Sequence, residues 1–213
     1  MKIAIAGGHG QIALILSRIL ADAGHEPIGI VRNPDHVPDV EKAGATALVL
    51  DLEKTDAATL AARLPGVNAF VFAAGGGPDS GAERKITVDR DAAVLVADAA
   101  ELAGARRLLV ISAMSADDFD PDSDDVFQIY LRAKSEADAA IRARELEWTI
   151  IRPGGLTNDP PLGTVNISQS VERGTIPRAD VAALLAVLLE TGRGVRDQFE
   201  VISGATPVAD ALE

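Results

Sequence analysis

Tyr130 lies four residues before Lys134, and it is the chain's single tyrosine. On a helix, residues at i and i+4 share one face. A phenol can give a proton to a carbonyl oxygen that is gaining charge. An ammonium beside it favours phenolate and draws the phenol's pKa down toward working pH. Ser112 follows the apolar run at 107–111, and its hydroxyl can hold a substrate oxygen. Those three residue types suit the reduction of a carbonyl-like group. The other reading of the pair is a core tyrosine with a lysine snorkelling past it.

A second constellation stands near the start. The run Gly7-Gly8-His9-Gly10-Gln11-Ile12-Ala13 follows a short apolar stretch and opens a helical pattern. Gly7 and Gly10 take the first two positions of a G-x-x-G-x-x-G spacing. Ala13 takes the third and still permits close helix–strand packing. Glycines let the backbone bend tightly and approach a pyrophosphate, whose charge then faces the helix N-terminus. The alternative is a tight turn with no ligand. The next apolar run ends Ile30-Val31-Arg32-Asn33. NAD-preferring turns usually place a carboxylate there for the ribose hydroxyls. Arg32 instead offers a guanidinium that forks onto a 2′-phosphate, which favours NADP over NAD unless Arg32 is simply solvated. Asp51 either accepts from an adenine amino group or caps the segment after it.

These residues need elements to position them. Apolar runs at 3–6, 27–31, 45–50, 69–73, 107–111, 147–151 and 199–202 read as strands. Helical periodicity covers 11–23, 55–64, 83–103, 126–144 and 179–190, with a short helix or turn at 39–44. Strands alternating with helices imply right-handed βαβ units and a doubly wound parallel sheet, a Rossmann-type α/β fold with helices on both faces. Residues 153–177 have several Pro and Gly with weak periodicity. They read as a loop and small-element insertion at the strand carboxyl ends, the ligand side of such sheets. No repeat or linker interrupts the 213 residues, so one domain spanning 1–213 is expected.

The motifs together resemble the short-chain dehydrogenase/reductase superfamily. Within it the chain is similar to the atypical NAD(P)H-binding group, related to NmrA-like proteins and to the biliverdin reductase B type of flavin reductase. The resemblance rests on residues 5–13, Val31-Arg32-Asn33-Pro34, Ala73-Ala74-Gly75, Val88-Asp89-Arg90-Asp91, residues 130–134, residues 149–157 and Arg178-Ala179-Asp180-Val181-Ala182. It implies dinucleotide contact by Gly7, His9, Gly10, Gln11 and Ile12. It also implies Arg32 at the 2′-phosphate, Asp51 and Leu52 at adenine, and Ala73, Ala74 and Gly75 along the ribose. Ser112, Tyr130 and Lys134 match the superfamily's catalytic set, with Lys134 also on the ribose. Pro153, Gly154, Gly155 and Leu156 would lie near the nicotinamide. Ala13 and His9 depart from the family pattern, which more often has Gly and Thr or Ser there.

Composition narrows the rest. Apolar residues make up 47% and mean hydropathy is +0.16, which suits a folded core rather than disorder. Aromatics are only 3%, so aliphatic side chains must fill that core. Net charge is −12, which repels phosphate backbones and disfavours nucleic acid as the main partner. There is no polybasic segment for anionic lipid, no apolar run long enough to span a bilayer and no cysteine. His9, His25 and His36 lack metal-ligand spacing, so no metal is expected. A cytoplasmic location follows.

Asp117, Asp118, Asp120, Asp122, Asp124 and Asp125 crowd one loop before the Tyr130 helix. Their spacing does not fit a calcium loop. On the ligand side they would repel anionic acceptors. The expectation is therefore an NADPH-dependent reductase. It would pass a hydride to a small uncharged carbonyl, quinone or flavin, with Tyr130 as proton donor, Lys134 tuning it and Ser112 orienting the acceptor. The rival is a non-catalytic NADP(H)-binding sensor. A nucleotide-sugar epimerase is weaker, because only about 60 residues follow the sixth strand. Oligomeric state is left open.

Overall fold

The first strand sets the layering. In β1 (Lys2–Ala6), Ile3 and Ile5 point to one face of the sheet and Ala4 and Ala6 to the other, and all four are fully buried. A strand buried on both faces belongs in the middle of a parallel sheet. The computed structural model, which describes residues 1–77 and 80–212, puts it there.

The chain continues through α1 (Gln11–Asp22), β2 (Glu26–Val31), α2 (Val37–Lys42), β3 (Thr46–Val49), α3 (Ala57–Ala62) and β4 (Ala69–Phe72). A short α4 (Ala82–Arg84) runs into a π-helical stretch (Lys85–Ala92) and then α5 (Ala93–Leu102). After it come β5 (Arg107–Ile111), α6 (Val126–Arg142), β6 (Glu147–Pro153), β7 (Gly155–Thr157), β8 (Thr164–Ser168) and β9 (Thr175–Pro177). The chain ends with α7 (Arg178–Thr191), β10 (Asp197–Ser203) and β11 (Thr206–Pro207).

The main sheet has the order β11-β8-β10-β6-β5-β4-β1-β2-β3. From β3 to β10 every pairing is parallel; β8 and β11 join antiparallel at one edge. Ile3, Ile5, Val71, Leu109 and Ile151 pack under α1 and α7 on one face. Ala4, Ala6, Phe70, Phe72, Val110 and Ile150 face the helices Ala93–Leu102 and Val126–Arg142 on the other. The fold is the expected doubly wound α/β sheet.

Two local expectations need correction. Residues 164–168, read as insertion, form a strand of the main sheet, and β7 and β9 make a separate two-stranded sheet. In β8 the residues Thr164-Val165-Asn166-Ile167-Ser168 alternate polar and apolar, with Val165 buried and Asn166 exposed, but the run is short and carries only two apolar residues. The helix expected over 83–103 is interrupted by π geometry over its first half, which widens the turn and re-aims side chains.

The topology reverses beside β1. Successive strands run outward from β1 to β3, and the chain then returns to lay β4 on the other side of β1. Ligands in open α/β sheets bind in the crevice at such a switch point, outside the strand carboxyl ends. Residues 7–13 after β1 and 73–77 after β4 flank that crevice.

At the opposite end, Arg107 is buried. It donates to the carbonyl oxygens of Glu147 (2.8 Å), Leu188 (3.3 Å) and Arg193 (2.8 Å) and to Thr149 Oγ1 (2.8 Å). It therefore ties the end of α7 to β5 and β6, and burial lowers its pKa to about 10. Arg107→Met removes these four bonds from a buried site. It should cost about 2–3 kcal/mol, seen as a Tm lower by roughly 4–12 °C for a chain of this size. An unchanged Tm by calorimetry would contradict this bracing role.

Candidate active site

The glycine turn is shaped by close approach. Gly7 has φ of +78°, and a Cβ there would stand 2.7 Å from Ala74 Cα across the crevice. Gly8 donates its N–H to Ile30 O at 2.9 Å, and a Cβ on it would meet Gly29 Cα at 2.5 Å. Gly8 thus serves packing against β2, a need the spacing of Gly7 and Gly10 did not reveal. Gly10 is the N-cap of α1, which has neither a capping side chain nor an acidic residue in its first turn. The first N–H groups of such a helix are available to an anion. This cradle fits a pyrophosphate.

A cavity of about 300 Å³ opens beside the turn. Gly7, His9, Gly10, Arg32, Asp51, Leu52, Ala73, Ala74 and Gly75 all line it. Gln11 lines neither it nor the cavities below, and is exposed. His9 stacks on His36 with ring centroids 3.7 Å apart and pairs with Asp39 at 2.9 Å. Asp51 caps its own turn through the Glu53 N–H (3.1 Å) while facing the cavity, so the two readings left open for it are compatible. Glu53 was missed from the sequence. It accepts from Thr87 Oγ1 (2.7 Å) and pairs with both Arg32 (3.4 Å) and Arg84 (3.2 Å).

A second cavity, about 600 Å³, shares residues 73–75 with the first. Ile12, Ser112, Tyr130, Lys134 and Leu156 line it, with Lys85, Asp89 and Phe127. The Tyr130 hydroxyl makes no hydrogen bond to any described residue. The Lys134 ammonium stands 5.8 Å from the Tyr130 ring centroid and that of Lys85 5.4 Å, so two cations flank the phenol. Lys134 is buried, donates to Ile111 O (3.1 Å) and pairs with Asp89 at 3.2 Å. The π-helical stretch carries Asp89 to this point. Asp89 also accepts from Gly76 N–H at 3.0 Å.

The electrostatics differ from the simple pairing expected. Burial pushes the Tyr130 pKa up, and Asp89 and Asp138 add to that rise against the opposing Lys134 ammonium. Burial alone would lower Lys134, but Asp89, Tyr130 and Asp138 together outweigh it and the ammonium is held above its ordinary value. Tyr130 therefore keeps its proton at neutral pH instead of approaching phenolate.

Ser112 lines the same cavity, and its hydroxyl donates to Asp138 Oδ2 at 2.7 Å. Its hydrogen is thus committed, and the oxygen can accept but not also donate. Asp138 is fully buried, and burial raises its pKa against the bonds from Ser112 and Arg152. Arg152 links Asp138 (2.8 Å) to Asp117 (2.7 Å).

A third cavity of about 440 Å³ continues from Ser112, Phe127, Tyr130 and Leu156. Pro153, Gly154 and Gly155 line it, as do Arg173 and Arg178. No carboxylate among the described residues lines it. The acidic loop does not surround the acceptor side: none of its six aspartates lines any of the three cavities. Asp117 is turned to Arg152 and Ser135, and Asp125 caps α6.

Comparison with known proteins agrees with this geometry. An NAD(P)H-binding family model matches residues 7–191. The chain belongs to the NAD(P)H-binding family. It is 35% identical to a Bacillus subtilis protein named "Uncharacterized sugar epimerase YhfK", over 100% of this chain and 99% of that one. A Bacillus halodurans structure named for NAD-dependent epimerase/dehydratases superposes with a TM-score of 0.90 at 32% identity, covering 100% and 98% of the two chains. An anaerobillin reductase from Escherichia coli, ChuY, shares the fold at 20% identity with a TM-score of 0.79, over 95% and 97%. The resemblance to atypical short-chain dehydrogenase/reductases holds. No helix among the described residues is long and apolar enough to cross a membrane.

The pKa directions can be read directly, because Tyr130 is the only tyrosine. Its ultraviolet tyrosinate titration should have a midpoint above the ordinary phenol value of about 10, with circular dichroism confirming that the fold persists. Asp89→Asn should shift that midpoint down, because it removes a carboxylate that opposes phenolate. A wild-type midpoint below the ordinary value would contradict the burial and Asp89 account.

Proposed function

We propose that the protein is an NADPH-dependent oxidoreductase that passes a hydride to a small carbonyl, quinone or flavin acceptor. One observation carries this reading: the unbonded hydroxyl of the single tyrosine, flanked by Lys134, faces a cavity continuous with the one at the glycine turn. The nicotinamide supplies the hydride when bound. The N–H groups of Gln11 and Ile12 hold the pyrophosphate against Gly7 and Gly10, with His9 at its side. Asp51 and Leu52 meet the adenine, and Ala73, Ala74 and Gly75 follow the ribose. Pro153, Gly154, Gly155 and Leu156 bound the nicotinamide end.

Lys134 holds ribose hydroxyls and stabilises negative charge at Tyr130 as its proton leaves. Tyr130 gives that proton to the carbonyl or quinone oxygen, or to a ring nitrogen of a flavin, so one hydride and one proton complete a two-electron reduction. A raised Tyr130 pKa keeps the donor form populated through neutral pH, which suits the reducing direction. Ser112, oriented by Asp138, lies beside the acceptor as a hydrogen-bond acceptor.

A second reading, an NADP(H)-binding sensor without turnover, draws on Asp89: it occupies the Lys134 ammonium and resists phenolate formation. The sugar-epimerase activity in one relative's name fits less well. Residues after β6 are largely taken up by β8, β10 and β11 of the main sheet and by α7, which leaves little for a separate sugar-nucleotide domain.

NADPH oxidation with a panel of quinones, flavins and aldehydes separates the two. Tyr130→Phe should lower kcat by roughly 10²–10⁴-fold while NADPH still binds. Binding without turnover across the panel would decide for the sensor.

Cofactor choice has its own test. Arg32 and Arg84 share one carboxylate, Glu53, so a 2′-phosphate displacing Glu53 would meet two guanidiniums. Arg32→Ala should weaken NADPH more than NADH, by about 1.5–3 kcal/mol, and Glu53→Gln should strengthen NADPH selectively. Equal effects on both cofactors in titration calorimetry would place Arg32 away from the 2′-phosphate.

A further inference from the structure

A carbonyl oxygen has two lone pairs, and Tyr130 can meet only one of them. A second donor steadies the negative charge that gathers on that oxygen as hydride arrives. The polar side chains lining the Tyr130 cavity are Lys85, Asp89, Ser112, Tyr130 and Lys134. Ser112 gives its one hydroxyl hydrogen to Asp138 Oδ2 at 2.7 Å, so it has none for an acceptor oxygen. Lys134 turns its ammonium to Ile111 O (3.1 Å) and to the Asp89 carboxylate (3.2 Å), which takes its charge. Asp89 can only accept.

Lys85 is the donor that is left. It is only 7% exposed, and its ammonium donates to one neutral partner, Gly77 O. It makes no ion pair to any described residue, although Asp89 lies four residues further along the same π-helical stretch. That carboxylate is turned to Lys134 and to Gly76 N–H instead. An ammonium has three hydrogens, so two remain for a ligand. The Lys85 ammonium stands 5.4 Å from the Tyr130 ring centroid, so a ligand placed against the phenol lies within its reach. Two ammoniums against one carboxylate leave the cavity lining with a surplus positive charge. Val126, Phe127 and Leu156 make the rest of its outer wall apolar, which strengthens any charge interaction inside. An ammonium kept at such a wall without a carboxylate is costly, and negative charge developing on a ligand offsets that cost.

We infer that Lys85 is a further catalytic residue: its ammonium hydrogen-bonds the acceptor oxygen that gains negative charge, the role expected of Ser112 from the sequence. Hydride leaves NADPH for a carbon of the acceptor's carbonyl system, and the displaced electron pair moves to the oxygen. Lys85 holds that oxygen and keeps its own protons, and the proton that completes the reduction comes from Tyr130. NADPH is oxidised to NADP⁺ and the acceptor is reduced by two electrons. This rests on the reading of the cleft as a reductase site.

Two readouts test it, one kinetic and one that needs no turnover. In NADPH oxidation with menadione, an uncharged quinone, Lys85→Met should lower kcat by roughly 10²–10³-fold, as expected for loss of one oxyanion donor. NADPH should still bind, Lys85→Arg should retain part of the rate, and Ser112→Ala should cost less than Lys85→Met. For the second readout, 4-nitrophenol is titrated into protein saturated with NADP⁺, and its coloured phenolate stands in for the charged oxygen. Wild type should favour the phenolate over the phenol at least about 10-fold more than Lys85→Met does, as an opposite charge at this range implies, and Lys85→Arg should keep part of that preference. Lys85→Gln carries both tests if Lys85→Met does not fold. An unchanged kcat in Lys85→Met, a larger loss in Ser112→Ala, or the same phenolate preference with and without the Lys85 charge overturns the proposal. Turnover that ignores Lys85 defeats the proposal alone. A Lys85-dependent phenolate preference without turnover of any quinone, flavin or aldehyde defeats the reductase reading alone.

Discussion

The carboxylate of Asp89 is buried where the segment after β4, the π-helical stretch and α6 meet, bonded to Gly76 N–H and paired with the Lys134 ammonium. Neither charge could be buried alone. An unpaired buried ion costs several kcal/mol, and breaking such a pair from one side typically costs about 3–5 kcal/mol. Each partner therefore fixes the other, and with them the distance between the glycine segment and the Tyr130 helix. The same carboxylate limits that segment sterically: a Cβ on Gly75 would stand 3.1 Å from Asp89 Oδ1. The π geometry is the backbone's contribution, since it brings both Lys85 and Asp89 to one cavity.

The cleft is a run of cations in an acidic protein. Arg32 and Arg84 stand at one end, Lys85 and Lys134 at the middle, and Arg173 and Arg178 at the other. Each pair differs in what holds it. Glu53 shares itself between the first two, Asp89 takes Lys134, and the last pair is left with neutral or no partners. Asp51 and Glu53 line the first cavity and Asp89 the second, so fixed charges of both signs are set along the groove. The aspartates of residues 117–125 act elsewhere, pinning Arg152 and capping α6.

Much of this was legible in the sequence because period and position coincide. The alternation of Ile3, Ala4, Ile5 and Ala6 and the four-residue spacing of Tyr130 and Lys134 each map onto one geometric fact. Gly7, Gly10, Arg32, Asp51 and residues 73–75 gather at one cavity for the same reason: strand carboxyl ends converge in a parallel sheet. What stayed hidden depends on contacts between distant segments. Asp89 is one charge in a helical pattern, and nothing local shows that Lys134 and Gly76 will close on it. Glu53 and Arg84 meet only after folding. β8 hides because its alternation spans only Thr164–Ser168, with two apolar residues, inside a segment rich in Pro and Gly, and Arg173 reads as a surface charge until Gly155 and Glu200 pin its segment.

The central claim is that a dinucleotide crosses the switch point, with its pyrophosphate on α1 and its nicotinamide at Tyr130. A crystal structure of the protein with NADP⁺ tests it most directly. The account predicts the pyrophosphate against the first N–H groups of α1 and the nicotinamide in the cavity lined by Tyr130 and Lys134. A nicotinamide turned out of that cavity, or a cofactor bound away from the glycine turn, would contradict it.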